Sequence, residues 1–330
     1  MLKQRGLAAL VILFGLCFAA AVGQDKDKDK DKNKEQPKDG KPVELKWKFE
    51  KDKPFYQEMT TKTKQTMKVM GSEVVQNQDQ TFYFKFTPKE EKDGNWTVEQ
   101  EITGVKMNID IGGSKIQYDS TSTSPATNPL SDFFKALVGS KFKLTIDKNM
   151  KVTKVEGRQE FLDKLIKANP QMKPLLEQIL SDEALKEMAD PTFTAVPNKE
   201  VKPGETWTRD TKLNMGPIGT YENSYKYTYK GPKDKQQQID VDTTLKYTPP
   251  GESTSAGGLP FKIKSADLKS TKASGTILFN TEAGRIDNTT MEITLGGTLK
   301  IEIGGQETNV DLTQEQKTTV TTSDKDPLSK

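Results

Sequence analysis

Any chemistry in this chain has to come from carboxylates, lysines or tyrosines. The sequence contains no histidine, and its single cysteine, Cys17, sits in an N-terminal apolar run. Zinc sites built on His or Cys are therefore excluded, as are Ser-His-Asp and Cys-His nucleophiles. The 47 Asp and Glu residues are numerous enough for a paired-carboxylate hydrolase or a calcium site. Yet no Asp-x-Asp-x-Asp-Gly loop occurs, and no acid pair stands apart from the solvated faces. No catalytic, metal-binding or cofactor-binding residue is expected, and no cofactor. Tyr221, Tyr225, Tyr227 and Tyr229 share one strand parity. Such a row can stack sugars or bases, but cross-strand aromatic pairing is its commoner use. Asn95-Trp96-Thr97 and Asn288-Thr289-Thr290 match the glycosylation sequon, which has meaning only in a eukaryotic secretory host.

Charge narrows the partners. The net charge of +3 falls to +1 without Lys3 and Arg5, and the two signs are interspersed. Beyond Arg5 the only arginines are Arg158, Arg209 and Arg285. Readers of nucleic acid and phosphate rely on the bidentate guanidinium fork, so nucleic acid is not an expected partner. Lys3 and Arg5 precede an apolar run over residues 7–22 that ends Ala21-Val22-Gly23. A basic start, a short apolar stretch and a small-x-small ending describe an export signal cut before Gln24. At sixteen residues the run is short for a spanning helix, which needs about 20. No membrane span is expected in the mature form. A lipid anchor on Cys17 is disfavoured because Leu16, not a small residue, precedes it. With Cys17 removed, the mature chain has no disulfide and must be held by its core.

Residues 25–41, DKDKDKDKNKEQPKDGK, carry no apolar side chain and cannot bury enough surface to offset ordering entropy. From there, period-two alternation dominates, the signature of half-buried strands. Leu45, Trp47 and Phe49 alternate with charged residues. Met59, Thr61, Thr63, Gln65, Met67 and Val69 share one face of a long strand, and Phe82, Phe84 and Phe86 form another. Asp93-Gly94, Gly112-Gly113, Gly296-Gly297 and Gly304-Gly305 read as turns. The period changes in the middle. Asn128-Pro129 offers a helix start, followed by Leu130, Phe133, Phe134 and Leu137 at helical spacing. Phe161, Leu162, Leu165 and Ile166 repeat the pattern, then Leu175, Leu176, Ile179 and Leu180, with Pro170 and Pro174 as breaks. Ser181, with Asp182 and Glu183 behind it, caps a last helix carrying Leu185 and Met188.

Four segments carry a resemblance: Leu45-Lys46-Trp47-Lys48-Phe49; Thr63-Lys64-Gln65-Thr66-Met67-Lys68-Val69-Met70-Gly71; residues 275–279 with Gly284-Arg285; and Gln316-Lys317-Thr318-Thr319. Over residues 44–322 they resemble an uncharacterised family of secreted bacterial proteins, a domain of unknown function common in planctomycetes. The resemblance implies a bacterial envelope setting and supplies no functional residues. The order strands, helices, strands is also similar to the periplasmic lipoprotein carriers, in which helices cover a curved half-barrel; that likeness is one of architecture.

The expected fold is therefore mainly β with a central helical segment (α+β): a large curved antiparallel sheet or half-barrel covered by helices. The expected organisation is a signal peptide (1–23), a disordered tether (24–42), a β-rich domain (43–322) with a helical insert at about 129–189, and a disordered tail (323–330). Features recurring on either side of the helices admit two similar lobes, 43–156 and 192–322. Function is read three ways. The first is a non-enzymatic exported protein, periplasmic or extracellular, binding a lipid-like or hydrophobic ligand, with Met59, Met67, Met70 and Met107 as an adaptable lining. The second is a structural or interaction protein of the cell surface whose core is filled by its own side chains. The third is a carboxylate-based hydrolase. No ligand-binding residue or oligomeric state is assigned from sequence.

Overall fold

A computed structural model describes residues 40–123, 128, 130–251 and 256–329. The expected signal, Cys17, residues 24–39 of the tether, and Pro129 lie outside the described residues. In chain order the elements are β1 (Val43–Leu45), β2 (Phe55–Val69), β3 (Ser72–Lys92), β4 (Asn95–Ile111), β5 (Ser114–Asp119), α1 (Ser131–Leu137), β6 (Lys141–Ile146) and β7 (Val152–Glu156). There follow α2 (Arg158–Ala168), α3 (Lys173–Ile179), α4 (Asp182–Ala189), α5 (Pro191–Thr194), β8 (Lys199–Val201) and β9 (Thr206–Asn214). The chain closes with β10 (Thr220–Lys233), β11 (Gln236–Thr248), β12 (Lys262–Asn280), β13 (Arg285–Ile303) and β14 (Gln306–Ser323).

One twelve-stranded antiparallel sheet holds most of the chain, in the order β7-β6-β4-β3-β2-β14-β13-β12-β11-β10-β9, with β5 beside β4. A separate two-stranded ladder joins β1 to β8. The two candidate lobes are thus neighbouring halves of a single sheet, joined where β14 pairs with β2 from Val310↔Val69 to Ser323↔Tyr56. Alternation builds the strands. In β2 the odd-numbered residues face inward and the lysines face solvent. Two-residue hairpins turn at Met70-Gly71, Asp93-Gly94, Gly112-Gly113 and Gly304-Gly305, each with positive φ at both positions, the pattern that matches strand twist.

The structure corrects two expectations. Gly296-Gly297 is no turn but lies inside β13, paired with β12 and β14. Gly297 has φ +146, and a Cβ there would sit 1.9 Å from the Asp267 carbonyl oxygen. A glycine pair marks a close backbone approach as readily as a turn. Between α1 and the remaining helices runs the β6–β7 hairpin, where the alternation of Phe142, Leu144 and Ile146 and then Val152 and Val155 about Asp147-Lys148-Asn149 also reads as a strand pair. The tail is ordered as far as Ser329. Asp324 pairs with Arg285, the Leu328 N–H donates to Asp326 Oδ1 at 2.8 Å, and Leu328 packs where a Cβ on Gly104 would lie.

The helical segment follows most of its sequence signals, but α1 starts at Ser131 with Leu130 at its N-cap and no side-chain cap, not at the expected Asn128-Pro129 start. Asn128 Oδ1 instead accepts from the Leu130 N–H at 2.9 Å. The Ser181 hydroxyl accepts from the Ala184 N–H at 3.1 Å, capping α4 as its position demands. Arg158 donates to the Leu180 and Glu177 carbonyls, satisfying the exposed end of α3. At the C-terminal end of the segment, the Trp47 indole donates to Phe193 O at 3.0 Å and the Trp207 indole to Ala195 O at 3.1 Å. The segment between β1 and β2 and the edge strand β9 therefore both hold the helices.

Candidate ligand cavity

The sheet is open: its order runs from β7 to β9, and β5 lies beside β4 off that path. An unpaired edge exposes backbone donors that must be satisfied. On β7 the Val152 N–H donates to Asp190 Oδ1 at 2.8 Å. On β9 the Lys212 N–H donates to Glu187 Oε2 at 3.2 Å. Glu187 and Asp190 are three residues apart, on one face at the end of α4. A helix can reach both edges with adjacent side chains only if the sheet curls round to bring those edges together. Helix α4 is thus a clasp across the seam.

Burial, above all, pushes both acids up from their ordinary values. For Glu187 the neighbouring Asp190 charge adds to the effect, and for Asp190 the hydrogen bonds from Val152 and Thr194 and the charges of Lys151 and Arg209 oppose it. A carboxyl raised in the folded state takes up a proton on folding, so its contribution is complete below the unfolded value and is lost as pH rises through the folded value. Relative to wild type, a Glu187→Gln/Asp190→Asn chain should lose less stability as pH rises from about 4 toward neutrality, while keeping its acceptors. Asp190→Ala should instead lose about 1–3 kcal/mol at any pH, because the Val152 N–H is left without its acceptor. Urea titrations across pH check both, and parallel curves for the double variant and wild type would rule out the first.

Inside the curl lies a cavity of about 420 Å³. Its sheet wall is Met59, Phe82, Phe84, Ile277, Met291 and Val320, with Tyr225 and Tyr227 beside them. Its cover is Leu137, Phe161, Leu180, Leu185 and Met188, one or more from each of α1, α2 and α4 and from the α3–α4 junction. Register explains the wall: Met59 lies opposite Phe82 on one side and Val320 on the other. Among the described residues, the cavity is lined by no Asp, Glu, Lys or Arg. Its polar groups are amides, hydroxyls and the two phenols. Desolvation raises the Tyr225 and Tyr227 phenols far above the ordinary value, so both are neutral donors at any physiological pH.

The sequence-derived candidates divide. Helical faces over residues 130–188 pack on the sheet and also roof the cavity. Of the tyrosine row, all four are buried on the inner face of β10, Tyr227 stacks on Trp207, and only Tyr225 and Tyr227 reach the cavity. Met59 lines it, while Met67 and Met107 are packed in the core and Met70 is 65% exposed in a turn. The lining methionines Met188, Met215 and Met291 carry no sequence signal that separates them from core. The described residues hold no group of three His, Cys, Asp or Glu able to bind a metal, and no helix long and apolar enough to cross a membrane.

Residues 93–286 match the sequence model of a family of unknown function, DUF6263. No curated protein matches the chain. Among solved structures, one of lipovitellin, titled for lipid–protein interactions, is similar over 84% of this chain at 9% identity and a TM-score of 0.43. This chain spans 25% of that one. OccK5 (OpdH) of Pseudomonas aeruginosa is similar over 84% of this chain and all of its own, at 6% identity and TM-score 0.22. DynF of the dynemicin biosynthesis pathway of Micromonospora chersina follows over 89% and 90%, at 8% identity and TM-score 0.17. At such distances the functional reading has to rest on the cavity.

Proposed function

We propose that this chain, which belongs to the DUF6263 family of unknown function, is a non-enzymatic binding protein for a hydrophobic small molecule or lipid. One observation carries the reading: an uncharged, apolar-lined cavity of about 420 Å³ under a helical cover. A self-filled structural core would leave no chamber above about 300 Å³, the lower bound of ligand pockets. An engineered apolar cavity of about 150 Å³ already admits benzene, so this one has room for roughly three such groups. The N-terminal run over residues 7–22 supports an exported setting, in which such a protein would hold or ferry molecules that water excludes. The acid pair that departs most from solvated behaviour, Glu187 and Asp190, is engaged with strand-edge N–H groups, which favours a structural part for it over hydrolysis.

The test is direct. The chain purified from its native host should yield, on organic extraction, about one equivalent of lipid-like material per protein. Recovery of none, together with failure of the emptied protein to bind a neutral apolar dye such as Nile red, would remove the reading. Mass spectrometry of the same material checks export: the expected mature chain starts at Gln24, and retention of residues 7–22 would refute it.

A further inference from the structure

The inner face of the sheet is interrupted by a polar band. Three rows cross β3, β2 and β14 in register: Gln76–Gln65–Gln314, Gln78–Thr63–Gln316 and Gln80–Thr61–Thr318. All nine residues are buried, at 5% exposure or less. They separate two apolar clusters, one built around Phe55 and Phe86, the other around Met67 and Leu312. The neighbouring strands offer them only Met107, Ile109 and Ile111 on one side and Met291, Ile293 and Leu295 on the other. Neither amide atom of Gln65 or of Gln314 has a partner, nor does Gln76 Oε1. Each such orphan costs about 1–3 kcal/mol, which a mainly apolar interior would not carry without a use.

The band is also directional. Gln76 Nε2 donates to Gln78 Oε1 at 2.9 Å, and Gln78 Nε2 donates to Gln80 Oε1 at 3.1 Å. Amides chained in this sense polarise one another, and the chain ends with the Gln80 Nε2 as its terminal donor. Gln80 and Thr318, the row nearest the Phe82–Met59–Val320 wall, line the cavity. The cavity thus meets an N–H donor and a hydroxyl where it adjoins the band, and the rest of its lining is mainly apolar, with Gln57, Gln100, Thr192, Thr289 and the two phenols as its other, uncharged polar groups. A carboxylate or phosphate there would find no lysine or arginine, and an unpaired ion in such a place is strongly disfavoured.

Resting on the binding-protein reading above, we propose that the ligand is a neutral amphiphile. Its uncharged oxygen, a hydroxyl or carbonyl, accepts from Gln80 Nε2 beside Thr318, and its hydrocarbon part lies against Phe82, Phe84 and Met188. Fatty anions and phospholipid headgroups are excluded from that end of the chamber.

The test uses the delipidated full chain and displacement of Nile red by dodecan-1-ol, decane and laurate. At pH 8 the alcohol should bind at least tenfold more tightly than ionised laurate, about 1.4 kcal/mol, and the gap should close as pH falls and laurate becomes neutral. Gln80→Leu should weaken the alcohol about tenfold and leave decane unchanged, the decane result reporting an intact chamber. Laurate equal to the alcohol at pH 8 would overturn the neutral-ligand inference while leaving the binding protein standing. An unchanged alcohol affinity in Gln80→Leu with decane still bound would overturn the role of Gln80. If neither Nile red nor any probe binds, the underlying binding reading fails instead.

Discussion

Phe193→Ala is expected to lower the unfolding free energy by about 3–5 kcal/mol, seen as an earlier denaturant midpoint at unchanged slope. Phe193 is fully buried in the four-residue helix α5. Its ring meets Trp47 at 5.6 Å, Phe49 at 6.1 Å and Phe86 at 6.0 Å, the last two edge-on. Edge-to-face contacts of this kind add about 0.5–1.5 kcal/mol to the area they bury. Truncation leaves the Trp47 indole bond to the residue 193 carbonyl in place, so the loss measures the ring alone. It also loosens the point at which the helical cover is pinned to the sheet. Against a typical total of about 5–15 kcal/mol, the loss is a large share of the stability. A shift below about 1 kcal/mol would show that the aromatic cluster does not anchor the helical cover.

Nothing in the sequence marked Phe193, and the reason is physical. A four-residue helix is too short for hydrophobic periodicity to register, and Pro191 reads equally well as the start of a loop. The long elements behave oppositely. In β2 and β10, one face is buried along most of the strand, so period two is written in the residue types, and the antiparallel sheet follows from short connections. Helix α2 shows its spacing, and α4 its spacing and its Ser181 cap, for the same reason. What alternation cannot state is which distant strand comes alongside. Val69 pairs with Val310, yet any amphipathic strand would satisfy the pattern of either partner. The joining of two candidate lobes into one sheet was therefore invisible. So was the clasp, because Glu187 and Asp190 look in sequence like any acids on a solvated helix face. The polar band shows the limit most clearly. Alternation places Thr61, Thr63 and Gln65 on one face of a strand, but only the register of β3 and β14 makes that face a buried amide grid ending at a cavity.

Val320→Trp should abolish ligand binding with little loss of fold. Val320 points inward from β14, lines the cavity, and keeps some accessible surface, as do Met59 and Phe82 beside it. An indole there grows into open space rather than into packed neighbours, so the overpacking cost should stay within about 1–3 kcal/mol. The same indole would displace roughly four methylenes of a bound chain, worth about 0.8 kcal/mol each, and about 3 kcal/mol is more than a hundredfold in affinity. The control comes from the pleat. Thr319 is the next residue along β14, and successive side chains point to opposite faces, so Thr319→Trp places the same bulk outside the sheet. Nile red titration should show binding lost in Val320→Trp and intact in Thr319→Trp, with both chains melting cooperatively. Wild-type binding in Val320→Trp would move the ligand out of this chamber. Loss in both variants with cooperative melting retained would tie binding to the outer face of β14 as well, which a ligand held in this chamber does not allow.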